Sequence, residues 1–337
     1  MITLHDIKSL LEREDEQIVT LYLQVDNALE ENQADTPAWR IWLKNALRDT
    51  ENTIPDDQRD VWEARKKRID NIIANYVPES KSLVMFIGDD FEQTYELPVL
   101  VNENAISYGE VMVSPALWLI DEYEPYLIVL VDTEKAHFMT TYLGNTEEND
   151  TLESDRFDYD FVEKTLMPRN STSVEYAGSQ VTQGSNRDSF DDMIQEKIDT
   201  FYRRVADHAQ EMMASNKAQR LILGGTERSY HAVRDMLHQS VAERVVDALP
   251  IPLDSSDQDV MQRILPAAMN YERSQEYDLV EQVVGMAKSD GRGALGQNAI
   301  EDALTQQRVE LLIAPFPSEM PDIVEHLTVQ TIEKGGE

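Results

Sequence analysis

The stretch that decides the fold is YLIVLVD, from Tyr126 to Asp132, which is an apolar run followed by one acidic residue. Short, continuous apolar runs that are rich in β-branched residues are typical of buried strands. A second run, from Ala136 to Leu143, follows after a short polar turn. Together the two runs predict a hairpin that begins a buried sheet.

Downstream of this hairpin the pattern changes from strand to helix and back. Residues 147–155 are interpreted as an acidic loop, and apolar residues then recur at steps of three and four from Phe190 to Met212, which predicts a long amphipathic helix. RLILGG, at residues 220–225, predicts a strand and a glycine turn rather than a phosphate loop, because it lacks the GxxxxGK[ST] arrangement. A helix from Ser229 to Gln239 and a strand from Arg244 to Val246 follow. Strand, helix and strand in this order indicate a parallel or mixed sheet with helices packed on it.

Upstream of the hairpin the chain predicts an α+β lobe that contains a helical hairpin. The first helical arm starts at Thr36-Pro37, a favourable cap and first position, and the second arm runs from Pro55 to Tyr76. The other predicted elements are a helix from Leu4 to Arg13, then strands Ile18 to Val25, Ser82 to Ile87 and Thr94 to Val99. A short connecting segment from Pro115 to Glu124 leads to the next lobe.

The last part of the chain predicts a third α/β lobe. Helices are expected from Ser274 to Lys288 and from Gln297 to Gln307, followed by a strand from Val309 to Ile313. Because domains usually contain roughly 100–200 residues, a chain of 337 residues suggests two or three lobes. We expect three, at residues 1–123, 124–268 and 269–337, with a mixed α/β and α+β fold class.

Composition excludes several classes of function. The chain has no cysteine, so disulfides and thiolate metal sites are excluded, and the spacing of its six histidines matches no metal motif. No apolar run approaches the roughly 18–20 residues of a membrane span, and the first residues do not resemble a secretory signal. We therefore expect a cytoplasmic protein that needs no cofactor or metal. Its formal net charge of −34 should repel phosphate backbones and membrane surfaces.

Contact with nucleic acid would then need local patches without acidic residues, and the sequence has two. The first is the stretch from Thr36 to Arg48, where Arg40, Lys44 and Arg48 follow one another at steps of four and no acid intervenes. This spacing places three cations along one stripe of a helix, where they could contact phosphates. The alternative is a solvated face whose cations pair with nearby carboxylates. Trp39 either packs in the core or stacks on a base.

The second patch is the polar loop 168–187, whose only acid is Glu175. Loops of this length without structure of their own are usually functional or disordered. We favour a probe that enters a narrow RNA cavity over a surface excursion without function. The residues expected to contact RNA from this loop are Arg169, Gly178, Ser179, Gln180, Gly184 and Arg187. The basic run Arg65-Lys66-Lys67-Arg68 is interpreted as a solvated cluster.

The order of these elements resembles the archaeal and eukaryotic superfamily of peptide-chain release factor one and Pelota, in a divergent bacterial branch. The resemblance covers nearly the whole chain and rests on order and spacing. It is clearest for the flexible loop from Gly178, the long helix, LILGG at 221–225, Gly293-Ala294-Leu295-Gly296, the helix around Ala299 to Ala303, and the strand at 309–313. It implies a decoding lobe, a ribonuclease-H-like middle lobe and a C-terminal α/β/α sandwich that contacts translational GTPases.

Two departures from the family pattern shape the functional expectation. The family's Gly-Gly-Gln tip is here Ala177-Gly178-Ser179-Gln180, and its Asn-Ile-Lys-Ser entry is here Thr36-Pro37-Ala38-Trp39-Arg40. Because glycine allows backbone conformations that serine makes costly, hydrolysis of peptidyl-tRNA is not expected. Stop-codon reading is not expected either.

The resemblance and its departures together imply a ribosome hibernation factor without enzymatic activity. It would be a monomer away from the ribosome, contact 16S and 23S rRNA in the A site, and accept elongation factor Tu or another GTPase as partner. Three alternatives remain. The first is a release or rescue factor that acts through Gln180, the second is an adaptor that never contacts RNA, and the third is a metal nuclease that uses Asp132 with acids such as Asp158 or Asp191.

Overall fold

The computed structural model describes residues 2–13, 17–143, 145–154, 184–215, 218–289 and 291–337. The chain divides into two compact units. The first contains Met1–Tyr123 together with Glu272–Glu337, and the second contains Glu124–Tyr271. Residues 269–337, which the sequence suggested as a separate lobe, therefore lie mostly in the same unit as the first lobe.

The first part of unit 1 is an antiparallel sheet covered by a helical hairpin. Its strands follow the order β3-β2-β1-β4, and every pairing is antiparallel. The elements are α1 (Leu4–Leu11), β1 (Ile18–Gln24), α2 (Ala38–Glu51), α3 (Arg59–Ala74), β2 (Ser82–Ile87), β3 (Glu92–Leu97), β4 (Ala105–Gly109) and α4 (Ser114–Glu122). The helical hairpin is confirmed. The predicted connecting segment is instead helix α4, and strand β4 was not predicted.

The hairpin packs because α2 repeats apolar residues every four positions. Trp39, Leu43 and Leu47 are buried and join Trp62 of α3 in one core with the inner faces of β1 and β2. Residues four apart lie on one helical face, so this spacing directs the whole stripe at the sheet. The outer face of α2 is thereby left to solvent.

The last part of unit 1 consists of helices joined by irregular segments. It contains the end of helix α8 (Asp257–Lys288), then α9 (Gln297–Thr305) and α10 (Pro321–Glu333). The strand predicted from Val309 to Ile313 is wrong, because this stretch has no ladder partner among the described residues. It exchanges two backbone hydrogen bonds with the last residue, Leu312 N to Glu337 O at 2.7 Å and Glu337 N to Glu310 O at 2.9 Å.

A carboxylate in this last part of unit 1 forms hydrogen bonds with the N-terminus of α4. The Glu325 side chain, on α10, accepts hydrogen bonds from the backbone N–H groups of Val113 and Ser114 at 2.5 and 3.0 Å. These groups lie at the N-terminus of α4, where unpaired N–H groups and the helix dipole favour an anion. Trp118 of α4 also stacks on Phe316, with ring centroids 5.3 Å apart.

Unit 2 is a five-stranded mixed sheet with the order β7-β6-β5-β8-β9. Its elements are β5 (Tyr126–Val131), β6 (Lys135–Tyr142), β7 (Asn145–Glu153), α5 (Gly184–Ser215), β8 (Arg220–Gly225), α6 (Glu227–Met236), α7 (Gln239–Ala242), β9 (Val245–Leu249) and the first part of α8. Strands β5, β8 and β9 are parallel, whereas β6 and β7 continue antiparallel from β5. This is the ribonuclease-H-like arrangement, so the mixed α/β fold class is confirmed. The expected acidic loop at 147–155 is instead mostly the edge strand β7.

Both faces of this sheet are covered, which explains why every residue of β5 is buried. Leu127, Val129 and Val131 face the cluster that contains α5 and α6, whereas Tyr126, Ile128 and Leu130 face the first part of α8. Parallel strands that are buried on both faces have continuous rather than alternating apolar sequences. The strand-to-helix turn predicted at Leu223-Gly224-Gly225 is confirmed.

Candidate nucleic-acid interface

The outer face of α2 carries the cations that remain exposed from the first patch. Ile41, Lys44, Asn45 and Arg48 are exposed at steps of three and four, so they form one stripe. Lys44 makes no hydrogen bond or ion pair within the described ranges of the chain. The Arg48 side chain is 69% exposed and lies 3.3 Å from Asp49, which is itself exposed. Surface pairs of this kind contribute only about 0–1 kcal/mol, so Arg48 can readily exchange this partner for another anion. We call these four residues the α2 stripe.

Arg40 does not belong to this surface, although its spacing placed it there. Its guanidinium donates to the carbonyl oxygens of Ile73 and Tyr76 at 3.1 and 2.9 Å. Helix α3 ends at Ala74, so Arg40 satisfies carbonyl groups at the end of that helix. The guanidinium of Arg40 is therefore directed at the hairpin, and its contact with RNA stays a prediction.

Trp39 is buried and does not offer its ring to a base. Its side chain is 1% exposed, and its ring meets that of Tyr76 edge-to-face with centroids 6.2 Å apart. A base can stack only on an exposed ring face. Of the two alternatives for Trp39, the structure supports packing in the core.

The basic run of α3 is not the solvated cluster that its sequence suggested. Arg65 is buried and lies 3.3 Å from Asp89, and Arg68 donates to the carbonyl oxygens of Gly88, Asp89 and Phe91. Both arginines therefore hold the turn between β2 and β3. Lys66 pairs with Glu51 of α2, and this hydrogen bond lowers the pKa of the Glu51 carboxyl. Only Lys67 of the run is exposed without a partner among the described residues.

Most of the second patch lies outside the described residues. Arg169, Gly178, Ser179 and Gln180 all fall there, so their contact with RNA stays a prediction. Gly184 and Arg187 were placed in the loop but lie in the first turn of α5. Polar residues such as Ser and Asn are common at helix starts, so the polar composition hid this boundary.

Asp132 closes the turn between β5 and β6. Its carboxylate accepts hydrogen bonds from the backbone N–H groups of Glu134 and Lys135, each at 2.7 Å. No group of three or more metal-ligating side chains is found in the described part of the chain. Asp158 lies outside that part. The geometry of Asp132 is thus that of a turn residue.

No described helix has the length and apolar character needed to cross a membrane.

A family model confirms the resemblance over the middle of the chain. Residues 112–269, just under half of the sequence, match the bacterial archaeo-eukaryotic release factor family 10. The matched segment contains α4 and all of unit 2 except its last two residues. No curated protein matches the sequence.

Solved structures of release-factor-like proteins align over most of the chain at low similarity. An archaeal translation termination factor is 14% identical, with 99% of this chain and 89% of that chain covered and a TM-score of 0.30. For Archaeoglobus fulgidus Pelota the identity is 12%, the coverage 78% and 73%, and the TM-score 0.35. The S. cerevisiae termination-like factor Dom34 is 11% identical, with 76% of this chain and 73% of that chain covered and a TM-score of 0.43. Scores of this size support no argument about function.

Proposed function

We propose, from the premise that residues 112–269 are of the bacterial release-factor type, that this chain is a ribosome hibernation factor. It would occupy the A site of an idle ribosome, from the decoding centre to the peptidyl-transferase centre, and block translation without releasing the nascent chain. In this proposal the chain acts in the manner of the ribosome hibernation factor Balon. Elongation factor Tu or another translational GTPase is the partner proposed for the C-terminal part.

The observation that carries the proposal is the α2 stripe. The protein has a net charge of −34, yet Thr36 to Arg48 contains no carboxylate, and Lys44 and Arg48 project from its exposed face. Cations that neutralise phosphates release counterions, which gives affinity for RNA even when the rest of the molecule repels it. Loop 168–187, also poor in acids, is the proposed contact near the peptidyl-transferase centre.

The stripe is tested by reversing its charges. We expect Lys44→Glu/Arg48→Glu to weaken co-sedimentation with purified ribosomes by roughly 1–3 kcal/mol per close contact. The matched control is Lys67→Glu/Lys81→Glu, which changes the net charge equally at exposed lysines of the same unit. Equal pelleting of the two double variants would remove the stripe from the proposal.

The second candidate is a rescue factor that hydrolyses peptidyl-tRNA, and it is favoured by the retention of Gln180 after Gly178-Ser179. A peptide-release assay on purified ribosomes separates the two functions. A hibernation factor leaves the nascent chain attached in both the wild type and Gln180→Ala. Release by the wild type that Gln180→Ala abolishes would establish the enzyme instead.

A further inference from the structure

Exposed apolar side chains are concentrated near the end of the chain. Eleven large hydrophobic residues are exposed among the described residues, and seven of them lie in Glu272–Glu337, about a fifth of the sequence. These seven are Tyr277, Leu279, Val280, Leu295, Leu311, Ile313 and Met320. Single exposed hydrophobic residues are ordinary, but such a concentration points to an interaction surface.

The second part of α8 shows this exposure most clearly. The first part of the helix buries Val260, Ile264 and Ala268, whereas Tyr277 and Val280 are 63% and 43% exposed. These two residues are three positions apart, so their side chains lie on one face of the helix. The Tyr277 hydroxyl donates to the Glu281 carboxylate at 2.9 Å, which holds the ring along the helix surface. An ordered aromatic ring loses little side-chain entropy when a partner covers it.

Acidic residues outnumber basic ones around these residues, although the exposed Arg273 lies one helical turn before Tyr277. From residue 276 to residue 287 the helix carries Glu276, Asp278 and Glu281 but no lysine or arginine. All three acids are exposed. We call Tyr277, Val280 and these three carboxylates the α8 face.

We propose that the α8 face is a docking surface for a protein segment in which apolar residues are flanked by lysine or arginine. Apolar burial would supply affinity and the carboxylates would select the basic partner. The same charges disfavour nucleic acid and anionic membranes. They also disfavour a second copy, because two such faces would place like charges opposite each other and each chain carries −34. The inference holds whether or not the chain binds ribosomes.

The test uses a designed amphipathic peptide of leucine and lysine as the probe, and the full-length chain. Fluorescence anisotropy would measure binding at about 0.15 M salt, where the Debye length is about 8 Å and long-range attraction is screened. We expect Tyr277→Ser/Val280→Ser to weaken binding roughly tenfold, which is a typical loss when two contacting apolar groups are removed. The matched control, Val77→Ser, changes a valine that is 73% exposed elsewhere in the same unit and should bind like the wild type.

Three outcomes would overturn the proposal. One is equal binding of the peptide by the double variant and the wild type. Another is equal binding of a control peptide in which serine replaces leucine, since the net charge alone would then explain the attraction. The third is a self-associating chain, detected by sedimentation, whose association Tyr277→Ser/Val280→Ser abolishes, because a second copy would then be the occupant. Circular dichroism confirms that the variants keep their helices.

Discussion

Arg40 and Lys44 lie one helical turn apart on α2 and have different roles. Arg40 donates to two carbonyl oxygens at the end of α3, whereas Lys44 is exposed. The difference arises from what each side chain can reach. Arg40 is near the start of α2, within reach of the carbonyl groups at the end of α3, whereas Lys44 lies one turn further along the helix and is exposed. The spacing of the cations predicts that they lie along one stripe of the helix. It does not predict which residues of other elements lie beside that stripe.

The two roles predict different effects of substitution on the free energy of unfolding. We expect Arg40→Ala to lower the free energy of unfolding by about 1–3 kcal/mol, because hydrogen bonds from a charged group to partly buried carbonyls are lost. Lys44→Ala should change it by less than about 0.5 kcal/mol, as is usual for surface substitutions. Urea denaturation of both variants decides the matter, and equal effects would contradict the assigned role of Arg40.

Among the described glycines, the one whose built Cβ atom meets the closest backbone is at the ends of β5 and β8. Gly225 has a φ of +114°, and a Cβ atom built on it would lie 1.9 Å from the carbonyl oxygen of Val131. The backbone of β8 passes so close to β5 that only glycine fits. Gly225 is the last residue of β8, and α6 begins two residues later.

We expect Gly225→Ala to destabilise the protein by more than about 2 kcal/mol, since it combines a clash with a backbone conformation unfavourable for alanine. Gly285→Ala is the control, because Gly285 lies within α8 and nothing is within 4 Å of its built Cβ. That substitution should stabilise the protein by roughly 0.5–1 kcal/mol, owing to alanine's higher helix propensity. Thermal unfolding compares the two, and a tolerated Gly225→Ala would disprove the close approach.

Elements that bury an apolar pattern could be predicted from the sequence, whereas elements defined by their neighbours could not. The all-apolar runs of β2 and β5 and the four-residue repeat of α2 each indicate a buried face. Strand β7, which reads NTEENDTLE, forms because β6 offers it a ladder, and as an edge strand it can carry charges. The apolar run at 309–313 has no such neighbouring strand in the part of the chain that the structure describes. In the candidate interface the acid-free stretch was visible in the sequence, but the inward direction of Arg40 was not.

At the scale of the whole molecule, the excess of acids places carboxylates near one another even inside a unit. Partial burial raises the pKa of Glu122, and the nearby Glu276, Asp121 and Glu272 raise it further, while Arg273 acts in the opposite direction. A folded-state pKa above the unfolded value means that the folded protein holds the proton more tightly. Stability linked to this group is therefore present at low pH and is lost as pH rises through the folded pKa.

Glu122→Gln should accordingly raise the melting temperature at pH 7, because the amide carries no charge to desolvate or repel. The advantage should be smaller at pH 4, because the carboxyl of Glu122, whose pKa is raised by burial and by neighbouring carboxylates, takes up a proton as the pH falls from 7. Melting curves at both pH values test this expectation. An advantage that stays constant with pH would show that charge is not its cause.

Glu325 and its two backbone partners also determine when unit 1 can be completed during synthesis. The N–H groups of Val113 and Ser114 emerge from the ribosome long before their acceptor, which lies 212 and 211 positions later in the chain. Unit 2 is encoded entirely between them, so all of its strands leave the exit tunnel while α4 still lacks its anionic cap. Translation therefore makes the inserted unit available to fold first and leaves closure of the surrounding unit as a late event.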